Sequence, residues 1–273
     1  YPSNSILIEN FFTKNNLQAK FLEKFDVITS ISMFYDLDEP IKFAKDIKAL
    51  LEEDGIWICE QSHSHSLIES NAYDSICHEH ATYLSLSSFK TICEKVGLKI
   101  LDIRTNSING GSFCLVMSHK SSKYKENQNN INKFKDQEEK LKINDKNTWL
   151  TFKNNVFNHK IELKECLLNL KKQNKKIFGY GASTKGNVVL QFCDLDKNII
   201  EYMLERDPLK FGCKTPGTNI PIISEDKGRS MKPDILVVFP WHFKDEIIKR
   251  EKLFLSNGGA LLFPLPKIEI ITK

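Results

Sequence analysis

The chain has 273 residues and a mass of 31.5 kDa, room for two domains of ordinary size. Hydrophobic residues make up 41% and charged residues 27%, the balance of a soluble globular protein, which excludes wholesale disorder. No apolar run approaches the ~18 residues of a membrane span and no secretory signal opens the sequence; a net charge of +4 is too weak to argue for nucleic acid.

The expected compartment is therefore the cytoplasm, with neither membrane nor nucleic acid as a partner. Segments 5–8 and 25–30 read as short buried strands, each followed by helix-like sequence, and 55–60 (GIWICE) reads as another strand. After a histidine-containing loop, 87–96 has the spacing of an amphipathic helix, with Gly97 as its C′ residue, and a strand follows at 98–103. Asn109-Gly110-Gly111 sets a turn into a strand at 112–118, so this block closes with a β-ribbon. Residues 119–174 are rich in Lys, Asn and Glu, with Phe157, Ile161, Leu163 and Leu167 at helical spacing; they read as a polar loop and then one long linking helix. A second block has strands at 176–180, 200–205, 234–239 and 259–263 and a helix from about Lys185, the alternation of a small parallel α/β domain.

Seven cysteines, at 59, 77, 93, 114, 166, 193 and 213, are never closer than sixteen residues, so no CxxC ligand pair exists and free thiols are expected. The most specific local feature is Cys77-His78-Glu79-His80. Two histidines one residue apart, with no further spaced ligand, make a poor zinc site, and no metal is expected. A carboxylate beside a neutral imidazole suits general-base chemistry, and a hydrogen-bonded structural loop is the alternative. His63 and His65, just past a strand end, are weaker candidates. Gly179-Tyr180-Gly181-Ala182-Ser183-Thr184-Lys185-Gly186 follows a strand and opens a helix. Unpaired helical N–H groups and the side chains of Ser183, Thr184 and Lys185 make a phosphate cradle, or else only a tight turn. Its glycine spacing is wrong for a nicotinamide cofactor or for nucleotide hydrolysis. Arg206 ends the next strand, where a Rossmann-like domain meets a ribose or base, and Trp241 and His242 end a later one, as pocket walls or as core caps.

These segments, with Thr29-Ser30-Ile31-Ser32-Met33-Phe34-Tyr35-Asp36-Leu37, Cys59-Glu60-Gln61-Ser62, Asn109-Gly110-Gly111-Ser112, Pro216-Gly217-Thr218 and Pro240-Trp241-His242-Phe243, resemble the S-adenosylmethionine-dependent nucleotide-sugar C-methyltransferases over essentially the whole chain. The resemblance implies an α/β protein: a partial Rossmann-type methyltransferase domain at 1–120, a polar loop and linking helix at 121–174, and a second, smaller Rossmann-like domain at 175–273 that holds the nucleotide sugar. The zinc module and Gly-rich cofactor loop of the family are not in this sequence, which looks like the back two thirds of a member, and an apolar sheet edge should be exposed. It further implies S-adenosylmethionine as cofactor, with Asn10, Phe11 and Phe12 beside the adenine and Ser30, Ile31 and Met33 beneath the sulfonium. The partner would be a nucleotide-diphosphate sugar held by Gly181, Ser183, Thr184, Lys185, Arg206, Trp241 and His242. His80 would be the base that raises an enolate beside a ketone, Glu79 its orienting partner and His78 a weaker donor. Asp36, Cys77 and Cys114 stand where relatives tend to carry His, Tyr and Arg, the mark of a distinct subgroup. A non-catalytic nucleotide-sugar binding or scaffold protein is the alternative.

Overall fold

The computed structural model describes residues 3–273. In chain order, the first half carries α1 (Lys14–Gln18), β1 (Phe25–Ile31), α2 (Pro40–Leu50), β2 (Leu51–Ser62), α3 (Ser64–Glu69), α4 (Leu86–Val96), β3 (Leu98–Asn106), β4 (Ser112–His119) and α5 (Gln128–Leu141). The second carries α6 (Lys146–Lys172), β5 (Ile177–Tyr180), α7 (Thr184–Phe192), β6 (Met203–Glu205), β7 (Ile222–Ser224), α8 (Glu225–Ser230), β8 (Ile235–Val238), α9 (Lys244–Arg250), α10 (Lys252–Ser256), β9 (Ala260–Phe263) and β10 (Glu269–Ile271). No helix among the described residues is long and apolar enough to cross a membrane.

The chain divides into two compact units. One holds the chain up to His63 with Ala81–Asn106 and Ser112–Leu141; the other holds Ser64–His80, Ser107–Gly111 and Lys142–Lys273. The division does not follow the expected boundaries at 120 and 174. Segment 64–80, with its histidines, packs with the C-terminal part of the chain, and that unit takes the larger share of the residues rather than the smaller.

The first unit is built on a mixed sheet of order β1-β2-β4-β3, in which only β1 and β2 run parallel. Apolar residues recur at helical spacing on α2 (Phe43, Ala44, Ile47, Leu50) and α4 (Leu86, Phe89, Ile92, Cys93, Val96), and both helices bury those faces. The Ser85 hydroxyl caps α4 by accepting from Ser88 N–H, and Gly97 ends it at φ 77°, the left-handed C-terminal residue read from the sequence. Trp57, Phe34, Phe89 and Phe113 fill the centre, with ring centroids 5.2–5.4 Å apart between successive members. Segment 5–8 is not a strand: it has no sheet partner, and Ile6 and Leu7 are 67% and 57% exposed.

The polar middle is two helices, α5 and α6, rather than a loop and one helix. Leu163 and Leu167 of α6 point inward as expected, beside Phe152 and Val156. Phe157 and Ile161 lie on its open side, 49% and 56% exposed. The second unit is a six-stranded sheet of order β10-β9-β8-β5-β6-β7, parallel except for β10. Of its four central strands, β8 and β9 are wholly apolar and β5 is buried throughout, as a sheet covered on both faces requires, while β6 ends on Glu205. From β5 the chain builds outward to β6 and β7, then returns to β8 on β5's other side. The loops after β5 and β8 therefore flank a switch point, where parallel sheets hold ligands.

Candidate active site

The histidine loop is anchored from below within the second unit. A single helical turn at Tyr73–Ser75 precedes it, and Tyr73 is buried. The Tyr73 hydroxyl lies 3.0 Å from His159 Nδ1, while His159 Nε2 lies 2.6 Å from the Pro264 carbonyl. A carbonyl can only accept, so Nε2–H donates to Pro264 and Nδ1 accepts from Tyr73. Burial favours this neutral ring by holding the His159 pKa below its ordinary value. Next along the chain, the Trp241 indole N–H donates to Asp74 Oδ2 at 2.8 Å, and His80 N–H closes a turn on the Cys77 carbonyl at 3.2 Å.

A cavity of about 560 Å³ lies between this loop and one face of α7. Cys77, His78 and Glu79 line it from the loop; Thr184, Asn187 and Gln191, spaced three and four residues apart, line it from the helix. No lysine or arginine is in its wall, and Asn187 Oδ1 is buried there with no hydrogen-bond partner. His80 is half-buried at the end of the loop and is not a lining residue. Of the predicted catalytic residues, the structure thus sets His78 and Glu79 on a cavity with His80 beside them in sequence.

The predicted phosphate cradle is more closed than the sequence suggests. Gly181 has φ +86°, and a Cβ there would stand 2.8 Å from Pro240 Cδ, so the loops after β5 and β8 touch at this glycine. Ser183 is the N-cap of α7: its hydroxyl accepts from Gly186 N–H at 3.1 Å and its carbonyl from Asn187 N–H at 3.0 Å. Ala182 N–H already donates to Glu205 Oε2 at 2.9 Å. Lys185 turns away from the loop and donates to the Asn109 carbonyl at 2.8 Å. Burial lowers its pKa, against the opposing charge of Asp74. Thr184 alone of the three cradle side chains faces the cavity. Arg206 is exposed and lines no part of it.

Trp241 is buried, as a core cap would be, and its N–H serves Asp74. His242 is half-buried with Nδ1 unpartnered; burial, then the Lys185 charge, pushes its pKa down to about 4, so the ring is neutral at pH 7. Asp74, Asn187 and Gln191 do not read as site residues in the sequence, and Asn109 reads only as part of a turn. Asn187 and Gln191 could have been found from their register with Thr184, whereas nothing near Asp74 or Asn109 signals a partner as distant as Lys185.

In the first unit the residues expected to hold a methyl donor fit it in part. Phe11 is 86% exposed and offers an open ring face, Asn10 lines a cavity of about 400 Å³, and Ile31 and Met33 leave apolar surface beyond the end of β1. Ser30 does not fit: its hydroxyl is buried and accepts the Trp57 indole N–H at 2.9 Å. Phe12 packs against Phe43, with ring centroids 5.2 Å apart, as part of the core edge. His63 is a core ring as well, stacked 5.1 Å from Phe113, and His65 faces Glu69 at 3.7 Å.

Residues 107–266 match the family of the C-methyltransferase C-terminal domain, and residues 4–103 match a methyltransferase domain. The C-methyltransferase NovU of Streptomyces niveus is 31% identical over 226 residues, which are 83% of this chain and 54% of NovU. The chain thus spans about half the length of this curated relative. Among solved structures, the plantazolicin methyltransferase BpumL, in complex with a pentazolic desmethylPZN analog and SAH, aligns with 36% of this chain and 53% of its own at 13% identity. The TM-score of 0.28 makes that likeness too slight to carry an argument.

Proposed function

Because the chain belongs to the C-methyltransferase family, we propose that it serves S-adenosylmethionine-dependent methyl transfer to a carbon of a nucleotide-linked keto sugar, through an enolate. The observation that carries this reading is the cavity of about 560 Å³ with His78 and Glu79 in its wall. It is large enough for a sugar ring, mixed in polarity and free of fixed cations, as suits a neutral acceptor. His80, one residue past the cavity wall, turns toward the bound sugar and takes the proton from the carbon beside the ketone, and the electron pair moves onto the ketone oxygen. Glu79 orients the imidazole and His78 donates a hydrogen bond. The diphosphate is met by the N-terminus of α7 and by Thr184, since the Ser183 hydroxyl and the Lys185 ammonium have partners of their own.

S-adenosylmethionine, when bound, supplies an electrophilic methyl group for the enolate carbon. Asn10, Phe11, Ile31 and Met33 are the residues of the first unit that would hold it; Ser30 and Phe12 are core.

Proton removal needs no methyl donor, so this chain can be tested directly by incubation in deuterium oxide with a nucleotide-linked keto sugar. Wild type should wash deuterium into the position beside the ketone. His80→Ala should abolish the exchange, and Glu79→Gln should slow it by about 10²-fold, the low end for general acid–base groups. If Glu79→Gln loses all exchange while His80→Ala keeps it, the base is the carboxylate. Absence of exchange in wild type, with sugar binding demonstrated, would end the enolate reading.

A further inference from the structure

Lys185, read from the sequence as a phosphate-cradle residue, lines neither the cavity nor an open phosphate site. Its half-buried side chain reaches across the second unit. One N–H goes to the Asn109 carbonyl at 2.8 Å, and that carbonyl belongs to the tight turn after β3. The turn is pressed onto Trp241: a Cβ on Gly110 would stand 2.8 Å from the Trp241 ring. The Trp241 N–H holds Asp74 Oδ2, and Asp74, 1% exposed, leaves its other oxygen buried without a hydrogen-bond partner. Asp74 lies three residues before Cys77, and both Asp74 and Cys77 are within the electrostatic reach of the Lys185 charge.

A carboxylate at this depth is costly unless a cation compensates it: burial pushes the Asp74 pKa up, and the Lys185 charge and the Trp241 hydrogen bond oppose that shift. Removing either partner of such a pair strands the other. The loop that bears His78, Glu79 and His80 is therefore tied to α7 through a chain of contacts, Lys185 to the Asn109 carbonyl, the Asn109–Gly111 turn to Trp241, and Trp241 to Asp74 at the loop's root. We propose that Lys185 is a positioning residue, which acts through Asp74 and the Asn109 carbonyl to hold the 76–80 loop against α7 and so to keep the cavity open. It is not the phosphate ligand that its place after a Gly-rich loop suggests. Naming His80 as the base rests on the function proposed above; the latch itself does not.

The test uses this chain without sugar or methyl donor, so it stands apart from the fate of the enolate reading. Amide exchange at residues 76–80 and the NMR titration of His242 are measured in wild type, Lys185→Met, Asp74→Asn and the double variant. Methionine keeps the aliphatic stem, so lost packing is not what is read. Lys185→Met should speed exchange in the loop on the order of tenfold or more, and the double variant should recover most of the protection, because no buried anion is left. The His242 titration should move up in Lys185→Met, as the neighbouring cation is gone. If Lys185→Met fails to fold, the same contrast is read between Lys185→Arg and Lys185→Met in the Asp74→Asn background. There arginine should keep His242 low and methionine should not. Unchanged loop protection in Lys185→Met, or a double variant no better protected than the single, would overturn the latch. So would loss of uridine diphosphate-induced shifts at 179–186 with the loop unmoved, which would restore the phosphate role.

Discussion

Single side chains in this protein are governed by whether a buried polar atom finds a partner. Trp57 and Ser30 satisfy each other in the first core, and His159 serves Tyr73 and Pro264 at once in the second. His242 is among the exceptions, with Asp74 and Asn187: its buried Nδ1 has no partner, and burial, then the Lys185 charge, pushes its pKa down to about 4. In an unfolded chain an imidazole titrates near ~6.5, so between these values the unfolded state binds more protons than the folded one. Stability contributed by neutral His242 is thus complete above ~6.5 and is lost as pH falls through 4, and His159, also lowered by burial, acts in the same direction. Urea unfolding should show a falling midpoint over that window, with a shallower fall in His242→Asn. A His242 proton resonance titrating near ~6.5 would show that the ring is not held in this environment. The sequence offered His242 as a pocket wall or a cap; its neutrality comes first from burial and then from a lysine, both of which only the fold supplies.

At the scale of elements, α7 shows how local rules shape the site. Ser183 caps it, Thr184, Asn187 and Gln191 share one face, and Gly181 gives the strand end a left-handed turn that meets Pro240. Ser183→Ala should cost about 1 kcal/mol, the usual loss for an N-cap hydroxyl. Gly181→Ala should cost on the order of 1–3 kcal/mol, since the new methyl meets both unfavourable φ and the Pro240 ring. Guanidinium titrations of the two variants should keep that order; equal midpoints would mean that the loop relaxes at no cost. Helices and strands of this kind were legible because their periods are short. The strands β7 and β10, three residues each, show no period long enough to read, and segment 5–8 has a strand's composition but no partner strand. On α6 the same limit appears differently: Phe157 and Ile161 match the helical spacing, but the direction of the buried face was set by what packs on it.

For the whole molecule, the sheet of the first unit ends at β1, where Val27 and Ile31 are 50% and 60% exposed on a parallel strand with an open edge. Such an edge is prone to pair with other chains. Val27→Lys with Ile31→Lys should raise the concentration at which light scattering detects aggregates while leaving the thermal midpoint within a few degrees; a large drop in midpoint would mean that both side chains are core. The exposed apolar edge is implied by the family resemblance, whereas the two α/β blocks, the cap at Gly97, the β-ribbon ending the first block and the strand-loop-helix at 176–192 are read from the sequence pattern. These follow from hydrophobic periods of two and 3.6 residues and from the turn chemistry of glycine and asparagine, all local. What the tertiary structure alone decided is the allegiance of distant segments: the histidine loop folds with the C-terminal unit, Ser30 points into a core, and Lys185 meets a carbonyl 76 residues away while Asp74 meets an indole 167 residues on. A sequence displays which groups carry charge or donate hydrogen bonds, but pairings across such separations are fixed by chain topology and by the cost of burying a polar atom alone.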